Sequence, residues 1–182
     1  NTQGSKKFKT IILENDYDSV LGIAQQQMDS GAHGLDICVA LTERADEADT
    51  IRKVIKKIAP NIKVPLVIDS TELDVMETAL QTAPGRCMIN STHFESGREK
   101  ADKVFQLAKK YNAAVLVLTI DEAGMAKTAQ RKYEIAKRIV EVAVNEHGLS
   151  PTDLVIDALT FTLATGDSEF NYSAVETING IR

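Results

Sequence analysis

Acidic or amide side chains stand in or at the ends of five short apolar runs along this chain. They are Asp36, Asp69, Asn90, Asp121 with Glu122, and Asp157. A carboxylate accepts two parallel N–H bonds, and an asparagine donates and accepts at once. A ring of such groups therefore suits a ligand edge that both donates and accepts, as the 2-amino-4-oxo-pyrimidine edge of a pterin or a guanine does. A Mg²⁺ site with oxygen ligands would use similar residues. No serine, cysteine or histidine stands among them as a placed nucleophile. The three histidines, His33, His93 and His147, have no metal-ligand spacing, and no metal is expected. The plainer reading of Asp69, Asn90 and Asp157 is that they cap helices or satisfy loop amides. Asp121 and Glu122 are expected to order a loop and a helix start.

The elements that position these groups follow from hydrophobic spacing. Val64-Pro-Leu-Val-Ile-Asp-Ser70 is too short for a helix and rich in β-branched residues, so it reads as a buried strand ending on Asp69. Leu73, Met76, Ala79 and Leu80 then recur at helical spacing. The same strand-then-helix unit recurs. Gly34–Ala40 carries Asp36, Arg86–Asn90 ends on Asn90, Ala113–Ile120 ends on Asp121, and Leu154–Ile156 ends on Asp157. Helices are expected over Lys6–Leu13, from Asp16 to Gly31, from Ala48 to Ile58, over Gly97–Tyr111, over Thr128–Glu146, and from Ser173 with Val175, Ile178 and Ile181 on one face. Strict alternation of strand and helix predicts a parallel sheet with helical crossovers. No strand is followed by GxGxxG or GxxxxGK[ST], which disfavours a dinucleotide-binding domain or a nucleoside triphosphatase. A (β/α)8 barrel gathers its chemistry at the C-terminal ends of its strands, which is the pattern here.

Composition narrows the partners. The chain has 182 residues, 43% of them hydrophobic, and a formal net charge of -5. The acidic balance and scattered basic residues argue against nucleic acid. No apolar run approaches the roughly 20 residues that span a bilayer, and no signal peptide is evident, so no membrane is expected. Cys38 and Cys87 lack CxxC spacing and are expected to stay reduced, in a cytoplasmic protein. The chain starts at Asn1 and ends inside a helical pattern, and reads as a piece of something longer. A complete barrel takes about 250 residues, so roughly five or six of eight units are expected here.

Five short motifs occur in order: Val-Pro-Leu-Val-Ile-Asp69-Ser70, Met-Ile-Asn90-Ser91, Leu-Thr-Ile-Asp121-Glu122-Ala-Gly124, Asp153-Leu-Val-Ile-Asp157, and Leu163-Ala-Thr-Gly166. Together they resemble the pterin-binding (methyltetrahydrofolate) domain of cobalamin-dependent methionine synthase and the related corrinoid protein methyltransferases. The resemblance covers nearly the whole chain, residues 1–182 as one domain. It implies an α/β fold of (β/α)8 TIM-barrel type, like that of dihydropteroate synthase, incomplete in this chain. The activity implied is that of a methyltransferase. It binds methyltetrahydrofolate and passes the N5 methyl to the cobalt of a corrinoid (cobalamin) on a partner protein or domain.

Carried over by motif, the substrate-binding residues are Asp69, Asn90, Asp157 and Asp36. Asp157 and Asn90 would hold the pyrimidine edge. Asp69 would order the site near N5, which makes Asp69 and Asn90 the implied catalytic pair. In the family an asparagine usually follows Leu-Asp-Val, whereas Leu35-Asp36-Ile37 is followed by Cys38. This sets Asp36 apart from the other three and changes the pocket floor. The family's strand-seven Ser-Asn-x-Ser stretch would lie beyond Arg182, and Asn1 would be the remnant of strand one. The isolated piece is therefore expected to be weakly active or inactive, with open sheet edges covered by a partner. The partners implied are a corrinoid protein or cobalamin-binding domain, and a second copy in a homodimer. The alternatives are a dihydropteroate synthase-like enzyme and a non-catalytic folate-binding module. Against the first, Asp157 runs into Ala158-Leu159-Thr160, where that enzyme continues with Pro-Gly.

Overall fold

A computed structural model describes residues 1–166 and 168–182. They form two compact units, the first of residues 1–90 with 110–113, the second of residues 91–109 with 114–182.

The first unit opens with α1 (Lys6–Leu13), begun by the Ser5 hydroxyl, which accepts from the Phe8 N–H at 3.2 Å. In α2 (Tyr17–Asp29), Asp16 caps in the same way, accepting from Ser19 N–H at 3.1 Å. Gly31, at φ +92, supplies the left-handed turn that ends this segment. Strand β1 is Leu35–Ile37. Helix α3 (Glu47–Ile58) places Glu47 and Asp49 in its first turn and Lys56 and Lys57 in its last, which complements the helix dipole. Pro60 stops it. Strand β2 (Leu66–Asp69), helix α4 (Leu73–Thr82) and strand β3 (Met88–Thr92) follow.

Strand β2 pairs in parallel with β1 and with β3, in the registers Ile37↔Ile68 and Asp69↔Asn90. The alternation of a strand then sorts the side chains. Leu35, Ile37, Leu66, Ile68 and Ile89 are buried among the apolar residues of the helices, with Ile12, Ile51, Ile55 and Met76 fully inaccessible. Asp36, Val67, Asp69, Met88 and Asn90 share the opposite face. Cys87, immediately before β3, is buried and free.

The second unit holds most of α5 (Glu99–Tyr111), then β4 (Ala114–Leu118). The predicted strand 113–120 does not run straight through. A small hairpin of β5 (Ile120–Asp121) and β6 (Gly124–Met125) branches off after Thr119. Its turn needs Gly124 at φ +93 and is stitched by the Asp121 carboxylate, which accepts from Ala123 N–H at 3.1 Å. A 17-residue helix, α6 (Ala129–Asn145), packs Ile135, Ile139, Val142 and Ala143 inward, together with one lysine, Lys132. Strand β7 (Leu154–Asp157) lies parallel to β4, with Leu118 opposite Asp157. A turn over Leu163–Thr165 ends on Gly166 at φ +71. The last helix is α7 (Ser173–Ile181). Sequence spacing made Val175, Ile178 and Ile181 its apolar face. All three are exposed, and Ser173 is its one buried residue among those described. Among the described residues no helix is long and apolar enough to cross a membrane.

Candidate functional site

Parallel pairing explains why acids far apart in sequence meet. Asp36, Asp69 and Asn90 sit on three adjacent strands of the first unit and share the face turned away from its helices. The pairing register and the strand repeat of two together bring them to one side. Their contacts run through side chains. Asn90 Nδ2 donates to Asp36 Oδ1 at 3.2 Å. Asn1 Nδ2 donates to Asp36 Oδ2 at 2.9 Å and to Asp69 Oδ2 at 3.2 Å.

One amide thus bridges two carboxylates. Asn1 is itself oriented, because its Oδ1 accepts from Gln3 N–H at 2.9 Å and Gly4 N–H at 3.2 Å. Thr2 anchors the same segment, with Thr2 N–H on the Cys38 carbonyl at 3.0 Å and its hydroxyl on the Ala40 carbonyl at 2.7 Å. Sequence reasoning did not place Asn1 in the cluster. An asparagine among polar residues carries no periodic signal, and its role becomes visible only when β1 and β2 are adjacent.

Burial, and after it the neighbouring Asp36 carboxylate, raise the Asp69 pKa above the ordinary aspartate value. The hydrogen bond from Asn1 opposes that rise without cancelling it. Burial also raises the Cys38 thiol, which lies 3.8 Å from the Thr2 hydroxyl. Cys38 is therefore a neutral, weakly polar neighbour of the cluster rather than a thiolate. A cavity of about 80 Å³ reaches Asn1 and Asp36 but is lined mostly by apolar residues of α1, α2, β1 and α3, among them Phe8, Val20, Ile37 and Val54, with Ser5 and Gln27 as further polar groups. It is far smaller than the roughly 300 Å³ at which small-molecule pockets begin. The polar face, not this cavity, is the candidate site.

Asp157 belongs to the second unit. It ends β7, where its backbone carbonyl accepts from Thr119 N–H at 3.1 Å and its Oδ1 accepts from Leu159 N–H at 2.8 Å. Its Oδ2 accepts from none of the described residues. Asp121 and Glu122 are engaged elsewhere. Asp121 is buried and paired with Arg131, and Glu122 makes a two-pronged pair with Arg138 at 2.7 and 2.8 Å. That pairing holds the Glu122 carboxyl at a pKa of about 2. His93 accepts the Glu95 N–H at 3.3 Å in its own loop. Among the described residues no group of three or more His, Cys, Asp or Glu side chains is arranged to hold a metal ion.

The sequence matches the family described as "Pterin binding enzyme" over residues 1–182. It is 40% identical over 185 residues to methionine synthase of Mycobacterium tuberculosis (strain ATCC 25618 / H37Rv), and 38% identical to methionine synthase of Mycobacterium leprae (strain TN). In both cases all of this chain is covered, and it spans 15% of the relative's length. A solved structure, Yersinia pestis DHPS with a pterine-sulfa conjugate, superposes with a TM-score of 0.66 at 19% identity. It covers 89% of this chain and 62% of its own. That likeness shows the fold, an α/β architecture of TIM-barrel type, as the alternation of strands and helices predicts.

Proposed function

The chain belongs to the pterin binding enzyme family, and from that premise we propose that it binds methyltetrahydrofolate for methyl transfer to a corrinoid. The observation that carries the proposal is the polar face of β1, β2 and β3. There Asp36, Asp69 and Asn90 are joined through Asn1 into one hydrogen-bonded set.

The pterin edge offers N–H donors next to a carbonyl acceptor. Asn90 spends one amide hydrogen on Asp36, which orients its carboxamide and leaves Oδ1 to accept an N–H from the ligand. Asp157 is proposed as the second pterin contact on its motif, with Oδ2 as the accepting atom. Together Asp36, Asp69, Asn90 and Asp157 are the proposed substrate-binding residues.

The reaction sets a second requirement. N5 of methyltetrahydrofolate is a tertiary amine, a poor leaving group until it is protonated. Asp69 and Asn90 are the residues proposed to serve this step. A carboxyl with a raised pKa shares a proton more readily than an ordinary aspartate. Asn90 positions the ring against it. The corrinoid, carried by a partner protein or domain, supplies the Co(I) nucleophile that takes the methyl group. Within this chain the work is to bind, orient and bring a proton to N5. The protein is proposed to act in the cytoplasm.

Calorimetric titration with methyltetrahydrofolate tests the reading, on the wild-type chain and on Asp157→Ala. Binding in the micromolar range that the variant loses supports it. Turnover with a corrinoid protein as acceptor then separates an enzyme from a binding module. Absence of binding by the full-length gene product would overturn the proposal.

A further inference from the structure

Lys132 is the most deeply buried charged side chain among the described residues, at 2% exposure. It lies on α6 in the apolar stripe of Ile135 and Ile139. No carboxylate lies within ion-pair distance of it among the described residues. All three ammonium hydrogens go instead to backbone carbonyls. They reach Ala126 O at 3.0 Å, Ala158 O at 2.6 Å and Leu159 O at 3.0 Å.

Two of these carbonyls belong to the residues immediately after Asp157. Strand β7 ends at Asp157, so neither has a ladder partner there. Leu159 also has φ +55, a left-handed conformation that a leucine adopts only where its surroundings enforce it. That turn brings Leu159 N–H onto Asp157 Oδ1 at 2.8 Å. The Asp157 carboxylate is therefore oriented by the Leu159 amide, and the Leu159 peptide is oriented by Lys132. Thr177 of α7 adds a hydroxyl on the same Leu159 carbonyl at 2.6 Å. Helix α7 closes over the lysine. A Cβ at Gly180 would sit 3.3 Å from the Lys132 Cβ, and Glu176 accepts the Ala129 N–H at the start of α6 at 2.6 Å.

We propose that Lys132 is a positioning residue for the pterin site. It clamps the left-handed Ala158–Leu159 turn so that Asp157 presents Oδ2 to the ligand. This rests on the reading of Asp157 as a pterin contact. With its ammonium saturated by carbonyls, Lys132 does not touch substrate. It acts through Asp157 alone, and that sets the test.

A double-mutant cycle in the full-length gene product reads it, with methyltetrahydrofolate as the titrant in calorimetry. Lys132→Met keeps the aliphatic stem and removes the three donors. It is expected to weaken binding about tenfold when Asp157 is present, and less than about twofold in the Asp157→Ala background. If Lys132→Met does not fold, Thr177→Val perturbs the same carbonyl from α7. It is expected to give a smaller loss, about threefold, with the same dependence on Asp157. An equal loss in both backgrounds, or no loss in a folded variant, overturns the clamp and leaves the pterin reading standing. No binding by the wild type overturns the pterin reading and the clamp with it.

Discussion

The two units present a carboxylate in opposite ways. In the first, Asp36 and Asp69 are held by side chains, with the Asn1 amide between them and Asn90 beside them. In the second, Asp157 is held by backbone, through the Leu159 amide and a turn fixed from behind by Lys132. The first arrangement sets two acids near one another, so its state depends on protons. The second pairs a carboxylate with a peptide dipole, so its state depends on the shape of the turn. Recognition needs a group held still, while proton delivery needs one whose protonation is easily shifted.

The contrast can be broken experimentally, beginning where the expected effect is largest. Asp157→Ala removes the rigid acceptor and is expected to lower methyltetrahydrofolate affinity by about 10- to 100-fold, measured by calorimetry. Lys132→Met attacks the turn rather than the acid. Buried carbonyls left without donors cost about 1–3 kcal/mol each, and Thr177 still serves one of them. A loss of about 2–4 kcal/mol is expected in denaturant unfolding. A smaller loss than this would mean that water or the chain replaces the ammonium.

Asp69→Asn probes the soft acid. The folded pKa of Asp69 is raised, so the native state binds its proton more tightly than the unfolded chain does. The stability this gives is present in full below the unfolded pKa and is lost as pH rises through the higher folded one. Ionised Asp69 therefore disfavours folding at neutral pH. Asp69→Asn is expected to raise the melting temperature at pH 7 and to flatten its dependence on pH in the weakly acidic range. A fall at pH 7 would show that the ionised carboxylate is a net asset to the fold. Glu122→Gln is the smallest change. Its pair with Arg138 is solvent-exposed, and methyltetrahydrofolate affinity is expected to move by less than about twofold.

Much of this was legible in the chain because strand and helix periods are local properties. The runs ending on Asp69 and Asp157, and the stripe of Ile135 and Ile139, are visible without any tertiary information. The cluster around Asn1 was not legible, since it exists only through pairing of β1 with β2. Lys132 left a trace that the sequence reading did not use. It falls three residues before Ile135 and seven before Ile139, in an apolar stripe where a solvated lysine does not belong. The hairpin after Thr119 was missed because Ala113–Ile120 is apolar except for Thr119, and only Gly124 hints at the reversal. The outward face of α7 departs from its spacing for another reason. Gly180 and Glu176 fix the helix against α6, and these contacts, not its apolar residues, set its rotation.

The two thiols also make the first unit its own clock. Cys38 and Cys87 are both buried, unbridged, and held above the usual thiol pKa by burial. Neither is a ready nucleophile while the native packing lasts, so an alkylating reagent must wait for a fluctuation that opens it. Cys38 lies at the end of β1 beside the polar cluster, and Cys87 lies just before β3. The ratio of their labelling rates therefore times opening at the polar face against opening at the entry to the neighbouring strand. Methyltetrahydrofolate bound on that face should slow the first more than the second.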